Sequence, residues 1–267
     1  MKQSTIRRWG PWLGLVVLFA IATSMLSSWQ FDRREERVTR IQQVQNNYDK
    51  APIDISELTW KEESGLFQME WRPVRVTGSY LTEEVFLVRN RPLSGQPGFL
   101  QLVPFVLPSG QILIIERGWL AAGSDLTEPK TNPAPASGEY EIVVRVRASE
   151  EDLGRQETTT LASIDLAEVA QRLGSDLVIT DFYGRLALEN PQNSELPMPM
   201  PKPSLNEGNH LSYAIQWIIF GLMAFGAFIW AYRNDRRLLA EQRGEIPKRT
   251  RRQGQAERDA EFEDANQ

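Results

Sequence analysis

Two stretches without a charge constrain this chain more than anything else in it. From Trp9 to Phe31 there is no ionisable residue over 23 positions, and from Gly208 to Tyr232 there is no Asp, Glu, Lys or Arg over 25. A helix rises about 1.5 Å per residue and a bilayer's hydrocarbon core is about 30 Å thick, so roughly 20 apolar residues cross it. Both stretches are long enough. Trp9, Trp12 and Trp29 sit near the ends of the first, and Trp217, Trp230 and Tyr232 lie in the second. Aromatic residues at span ends suit the headgroup layer. A cleaved signal peptide is the competing reading of the first stretch. It is longer than a usual signal core, and Trp29-Gln30 makes a poor cleavage site, which favours a retained anchor. The expectation is transmembrane helix 1 over 9–31 and transmembrane helix 2 over 208–232.

Charge sets the expected topology. Residues 1–31 carry three basic side chains and no acid, residues 32–207 carry 18 Lys/Arg against 27 Asp/Glu, and residues 232–267 carry nine against eight. Lys and Arg close to span ends face the cytoplasm. Both termini are therefore expected inside: a short segment 1–8, and a charged, disordered tail 233–267. Residues 32–207 are expected outside a plasma (cell) membrane that the chain crosses twice. Arg33, Arg34 and Arg37 follow the first span on the unexpected side. They alternate with Asp32, Glu35 and Glu36, and DRREERVTRIQQV reads as a solvated continuation of the first helix.

The chain has no cysteine and one histidine, His210. Disulfides, thiolate nucleophiles, iron–sulfur clusters and Cys-ligated zinc are excluded. So are metal sites that need two histidines. There is no phosphate-binding glycine loop and no nucleophile-elbow motif, and neither an enzymatic activity nor a nucleic-acid partner is expected.

The middle of the chain reads as strands over 71–81, 84–90, 99–107, 110–120, 139–149 and 177–190. Pro108-Ser109-Gly110 turns a hairpin between two of them. One short helix intervenes, opened by Asp165 with Glu168 three residues on and stopped at Gly174. TEPKTNPAPASG, 127–138, reads as an exposed loop, and LPMPMPKPSLNEGN, 196–209, as a stiff spacer leading back to the membrane. The expected fold is an integral membrane protein. Two transmembrane helices flank a mainly antiparallel β exterior domain, a sandwich or small barrel, with one short helix.

Four ordered pieces resemble a known family. Ser28-Trp29-Gln30 followed by Arg33 ends the first span. WRPVRVTGSYL resembles the family's V-x-V-x-G-x-[FY] strand. VRNRPLSGQPGFLQLVPFVLPSGQILIIERGWLAAG resembles its longest block and carries the Arg117-Gly118-Trp119 signature. NHLSYAIQW, 209–217, resembles the H-L-x-Y-A-x-Q-W opening of its second helix. Together they resemble the surfeit locus protein 1 family of membrane proteins that assist cytochrome c oxidase biogenesis, over about residues 26–232. The long, acid-ended tail and the EGNHLSYAIQW wording look most like actinobacterial members. Glu116 stands where the resembled family often has Asn before Arg-Gly-Trp.

Read physically, His210 lies in the first turn of the second span, after an Asn209 N-cap. The positive end of a helix disfavours imidazolium, and neutral imidazole is the form that ligates metals. His210, Ala214, Trp217 and Gly221 share one helix face, where the two small residues leave room for a flat ligand or a neighbouring helix. Tyr213 and Trp217 would offer aromatic walls. An interfacial histidine bonded to headgroups or to the exterior domain is the plainer alternative. The resemblance implies haem a, held transiently with His210 as its one axial ligand from this chain. It implies as partners the oxidase's subunit I and a haem a synthase. Three functions remain: an assembly factor that binds haem a, a membrane scaffold that binds oxidase subunits without haem, and a sensor or enzyme on two anchors.

Overall fold

The computed structural model describes residues 2–58, 62–63, 66–154 and 159–247. In chain order these form helix α1 (Lys2–Asn47) and strands β1 (Ile53–Asp54), β2 (Glu62–Glu63), β3 (Leu66–Phe67), β4 (Pro73–Tyr80) and β5 (Phe86–Val88). Then come β6 (Gly98–Val106), β7 (Ile112–Ala121), β8 (Glu139–Ala148), helix α2 (Leu166–Leu173), β9 (Phe182–Asn190) and helix α3 (His210–Gln242). Two compact units result. One comprises the residues up to Glu35 together with those from Gly208 onward, and the other is Glu36–Glu207.

The first unit is an antiparallel helix pair. As residue numbers rise along α1, those of its contacts on α3 fall. Trp9 meets Phe228 and Tyr232 edge-on, Thr23 faces Gly221, Ser27 meets Ala214 and Gln30 meets His210. Only 11% of the apolar window in each helix is buried. The outward side chains include Leu15, Leu18, Ile21, Ile219 and Leu222. Water is a poor solvent for such a surface and hydrocarbon a good one, and both helices are long and apolar enough to cross a membrane. Helix α3 continues through Arg233 to Gln242. It thus carries helical structure ten residues into the segment read from sequence as a disordered tail, while residues 248–267 lie outside the described residues.

The second unit is a small barrel. Its sheet runs β1-β4-β8-β9-β7-β6-β5, and β4 also pairs with β6 through Ser79–Val106 and Tyr80–Phe105. That extra pairing closes β4, β8, β9, β7 and β6 into a ring, with β1 and β5 outside it. Of the two all-β forms expected, the barrel is the one found. It is mainly antiparallel, with β7–β9 and β1–β4 parallel. Closure leaves no free edge on the five ring strands. Val74, Val76, Val103, Phe105, Ile115 and Ile142 belong to the buried cluster on one face of these strands. Leu100, Leu102, Ile112 and Ile114 belong to a second cluster, with Leu166 and Val169 of α2. Strands β6 and β7 are therefore covered on both faces, which is why they read as unbroken apolar runs rather than alternations.

Helix α2 begins and ends where its sequence signals lie. Asp165 accepts from the Ala167 N–H, and Gly174 at φ 65° closes the C-terminus. Glu168 pairs with Arg172 rather than returning to the cap. Three local differences from the sequence reading have physical causes. The last strand starts at Phe182, not 177, because residues 177–179 leave the sheet and bond Ile112 at the start of β7. The helical stretch 32–44 is not solvated throughout: Ile41 and Val44 are buried, and Asn47 just beyond donates to the carbonyls of Gln68 and Glu70. The spacer 196–209 is docked at its start, where Met198 exchanges two backbone hydrogen bonds with Trp119.

Candidate functional site

His210 opens α3, and Asn209 before it makes no side-chain cap. Its Nδ1 lies 2.9 Å from Oε1 of Gln30 on α1. An amide oxygen only accepts, so in this contact Nδ1 donates, and in the neutral imidazole the lone pair is then on Nε2. A partner that holds the second ring nitrogen in this way fixes both tautomer and ring orientation, as metal-ligating imidazoles require. The ring is half-buried, and the neighbouring Gly208 presents no side chain toward the Nε2 edge. The site therefore offers one oriented monodentate nitrogen ligand. Among the described residues no group of three His, Asp or Glu could hold a bare metal ion. A metal that brings its own equatorial ligands, as haem iron does, fits a single imidazole; a protein-only metal site does not.

The remaining residues of this unit sort by face. Ala214 and Gly221 are buried. The Ser27 hydroxyl donates to the Ala214 carbonyl at 3.0 Å, and a Cβ at position 221 would stand 3.0 Å from the Thr23 hydroxyl. Of the two occupants weighed for the space beside these small residues, α1 takes it. Tyr213 is 48% exposed and Trp29 50%. Trp217 is half-buried with its ring edge-on to Phe220, and the Arg33 guanidinium lies over Trp29. No hydrogen bond or ring contact joins Tyr213 or Trp217 to His210 among the described residues. The contact that does form joins His210 to Gln30, a residue that the sequence marks only as part of a motif. Its signal was present: Thr23, Ser27 and Gln30 recur at steps of four and three in an apolar helix and so share one face.

Arg117, Gly118 and Trp119 belong to the barrel. Gln101 pairs with Gly118 and Leu102 with Glu116, so Arg117 is the extra residue of a β-bulge. The bulge carries Trp119 to the same face as Ile112 and Ile114. There its ring packs against Gly98, where a Cβ would meet the indole at 2.3 Å, and its Nε1 donates to the Arg91 carbonyl at 2.6 Å. Gly118, at φ 150°, lets the docked segment approach: a Cβ would lie 2.6 Å from the Met198 carbonyl oxygen.

The bulge also buries charge. Arg117 donates to Gln101 Oε1 and the Pro133 carbonyl, both at 3.0 Å, and lies 3.8 Å from Glu189. Gln101 in turn donates to Asn132 and Pro133, which pins the loop 127–138 that sequence reads as exposed. Glu116, the departure from the family's Asn, is fully buried and lies 2.9 Å from the Arg185 Nε. Its charge is thereby compensated within the barrel. Burial, and then the Glu189 carboxylate, push the Tyr80 phenol above its ordinary value, so it stays protonated across the physiological range.

The model of the SURF1 family matches residues 17–222. An uncharacterized SURF1-like protein of Mycobacterium tuberculosis is 28% identical over 247 residues, covering 88% of this chain and 89% of its own. Surfeit locus protein 1 of Xenopus tropicalis is 23% identical over 255 residues, 86% of this chain and 76% of that protein. The cytochrome oxidase assembly protein SHY1 of Saccharomyces cerevisiae is 27% identical over 110 residues, 41% of this chain and 28% of the yeast protein.

Proposed function

The chain belongs to the SURF1 family, and from that premise we propose that it is an assembly factor for cytochrome c oxidase which binds haem a through His210 while subunit I is matured. The assembly role is supported by the family and by the name of the yeast relative. The observation that carries the haem reading is the 2.9 Å contact between His210 Nδ1 and Gln30 Oε1, which leaves Nε2 as a ligand. When bound, haem a would bring the iron and its equatorial nitrogens. This chain's part is to present one imidazole of set tautomer and to keep it beside a membrane. One ligand from one chain suits holding and release better than permanent electron transfer. No catalytic residue is assigned.

The partners that follow are subunit I, as recipient, and a haem a synthase, as source. The reading places both termini in the cytoplasm and the barrel outside the cell membrane, on the excess of Lys and Arg beside the cytoplasmic ends of the spans.

The test is an absorption spectrum of the full chain purified in detergent after co-expression with a haem a synthase. A Soret band and extractable haem a are expected in the wild type and lost in His210→Ala. His210→Met keeps a softer ligand and should retain part of the haem with a shifted spectrum. Tyr213→Phe should matter least. Haem a held in stoichiometric amount by His210→Ala, with an unshifted Soret maximum, refutes the ligand assignment. A wild type that carries none while oxidase assembly still depends on it makes the protein a scaffold.

A further inference from the structure

The barrel unit contains a cavity of about 330 Å³ whose charge opposes that of the segment around it. Residues 32–207 carry a formal charge of −9. The cavity is nonetheless lined by three arginines, Arg37, Arg40 and Arg147, against one carboxylate residue, Glu70. That carboxylate is already taken, since Arg147 donates to it at 2.7 Å. Arg37 spends its Nε on the Asn206 carbonyl and keeps its other donors. Arg40 is exposed and has no hydrogen-bond or ion-pair partner among the described residues.

Most of the rest of the lining is apolar, and it is built with some strain. Ile41 and Val44 contribute one side and Trp71 another. The Trp71 backbone sits at φ 70°, a conformation that bulky side chains rarely adopt and that persists only where the surroundings impose it. The imposing contacts are visible. The Trp71 N–H donates to the Val146 carbonyl, and the Arg147 guanidinium stacks over the indole at 4.0 Å.

Chain connectivity adds where this cavity must be. Arg37 is six residues from Phe31, the last residue of the first apolar run, and Ser204, also in the lining, is four residues from Gly208 at the start of the second. Even a fully extended chain covers at most about 3.6 Å per residue. Arg37 can therefore be at most about 22 Å from Phe31, and Ser204 at most about 14 Å from Gly208.

We propose that this cavity binds the phosphate of an anionic amphiphile. Arginine forks match phosphate oxygens and favour them over neutral groups. Two uncompensated guanidinium groups suit a net negative charge, and the apolar wall suits the esterified part of the same molecule. A membrane phospholipid headgroup and a soluble phosphate share this chemistry, and the experiment separates them.

The full chain is purified in a neutral detergent. Native mass spectrometry counts bound dioleoyl phosphatidylglycerol and dioleoyl phosphatidylcholine, and calorimetry measures inorganic phosphate. The expected result is phosphatidylglycerol binding that weakens about tenfold or more in Arg37→Ala/Arg40→Ala, as loss of charge-assisted bonds should cause. Phosphatidylcholine, whose phosphate is balanced by its own ammonium, should bind weakly. Arg75→Ala, an exposed arginine elsewhere in the barrel, should change nothing. Should the double variant fail to fold, Arg40→Ala alone removes an exposed, unpartnered side chain and carries the same test. Inorganic phosphate binding with the same arginine dependence, and no lipid binding, overturns the amphiphile and assigns the arginines to a soluble anion. Equal binding of the two lipids, binding indifferent to Arg37 and Arg40, or no binding of any probe overturns the proposal.

Discussion

From Thr23 to Gln30 the α1 side chains that meet α3 are small or polar, with Thr23 beside Gly221, Ser27 on the Ala214 carbonyl and Gln30 on His210, while the large rings of Trp9, Phe228 and Tyr232 meet at the other end of the pair. Within the barrel the side chains that meet are large and apolar, Phe105 with Tyr80 and Leu102 with Ile114, and the few buried charges come with partners. The difference follows from the solvent. Lipid tails are as apolar as leucine, so helices in hydrocarbon gain little by burying leucine against leucine; close backbone approach and hydrogen bonds decide instead. In water, removing apolar area from solvent dominates, and a buried charge is tolerated only when it is matched.

Trp119→Ala should mark the upper end of this contrast. It opens a cavity beside Gly98 and strips a donor from the Arg91 carbonyl, at about 3–5 kcal/mol. Denaturant unfolding of the full chain in detergent, followed in the near ultraviolet, would read it. A fully stable variant that fails in oxidase assembly would mean that the indole contacts a partner instead. Glu116→Ala comes next, at about 3 kcal/mol, because Arg185 loses the carboxylate that matches it. Restoring Asn at 116 together with Arg185→Gln should recover most of that loss; a Glu116→Ala protein as stable as wild type would show the pair to be dispensable.

On the helix side the effects shrink. Gly221→Leu forces a bulky group against Thr23 and should loosen the pair by about 1–3 kcal/mol, read as loss of a disulfide placed between the two spans. Ser27→Ala deletes one hydrogen bond in a setting where such bonds average about 0.6 kcal/mol. If Ser27→Ala proves as costly as Trp119→Ala, the contrast between the two regions fails.

The smallest effect is one of pH and belongs to the barrel. Burial raises the Glu150 carboxyl, but hydrogen bonds from Arg91 and the Ile164 N–H outweigh it and hold the group below the ordinary glutamate value. A depressed carboxyl contributes stability that is present at neutral pH and lost as pH falls through the acid range. Thermal unfolding between pH 7 and 3 should therefore fall less steeply in Arg91→Gln/Glu150→Gln than in wild type.

Much of this was legible in the residues. The apolar runs mark the apolar stretches of both long helices but not their charged ends, and alternating or unbroken apolar segments mark all six longer strands to within about five positions, because burial patterns follow element periods. Closure of the ring was not legible, since the β4–β6 pairing is non-local and leaves no mark on either strand. The bulges were hidden for another reason. Ala187 is the extra residue between Leu186 and Leu188, and it turns Leu188 outward and Glu189 inward, so strict alternation misassigns both. The docked segment misleads by composition. Proline on both sides of Met198 looks like a spacer, yet the single N–H between those prolines is the one that bonds Trp119. At the candidate site, His210 stood out as the only histidine, whereas Gln30 needed the helix pairing to become its partner.

The two-way bond between Trp119 and Met198 also sets an order of events. A polypeptide is made from its N-terminus, so β7 waits with the Trp119 N–H and carbonyl uncommitted while nearly eighty more residues are synthesised. Met198 arrives only twelve residues ahead of His210. The barrel's last main-chain pairing therefore becomes available at almost the moment that the second apolar helix begins to emerge. Completion of the barrel and emergence of the second apolar helix are in this way set close together by the reading direction of the message itself.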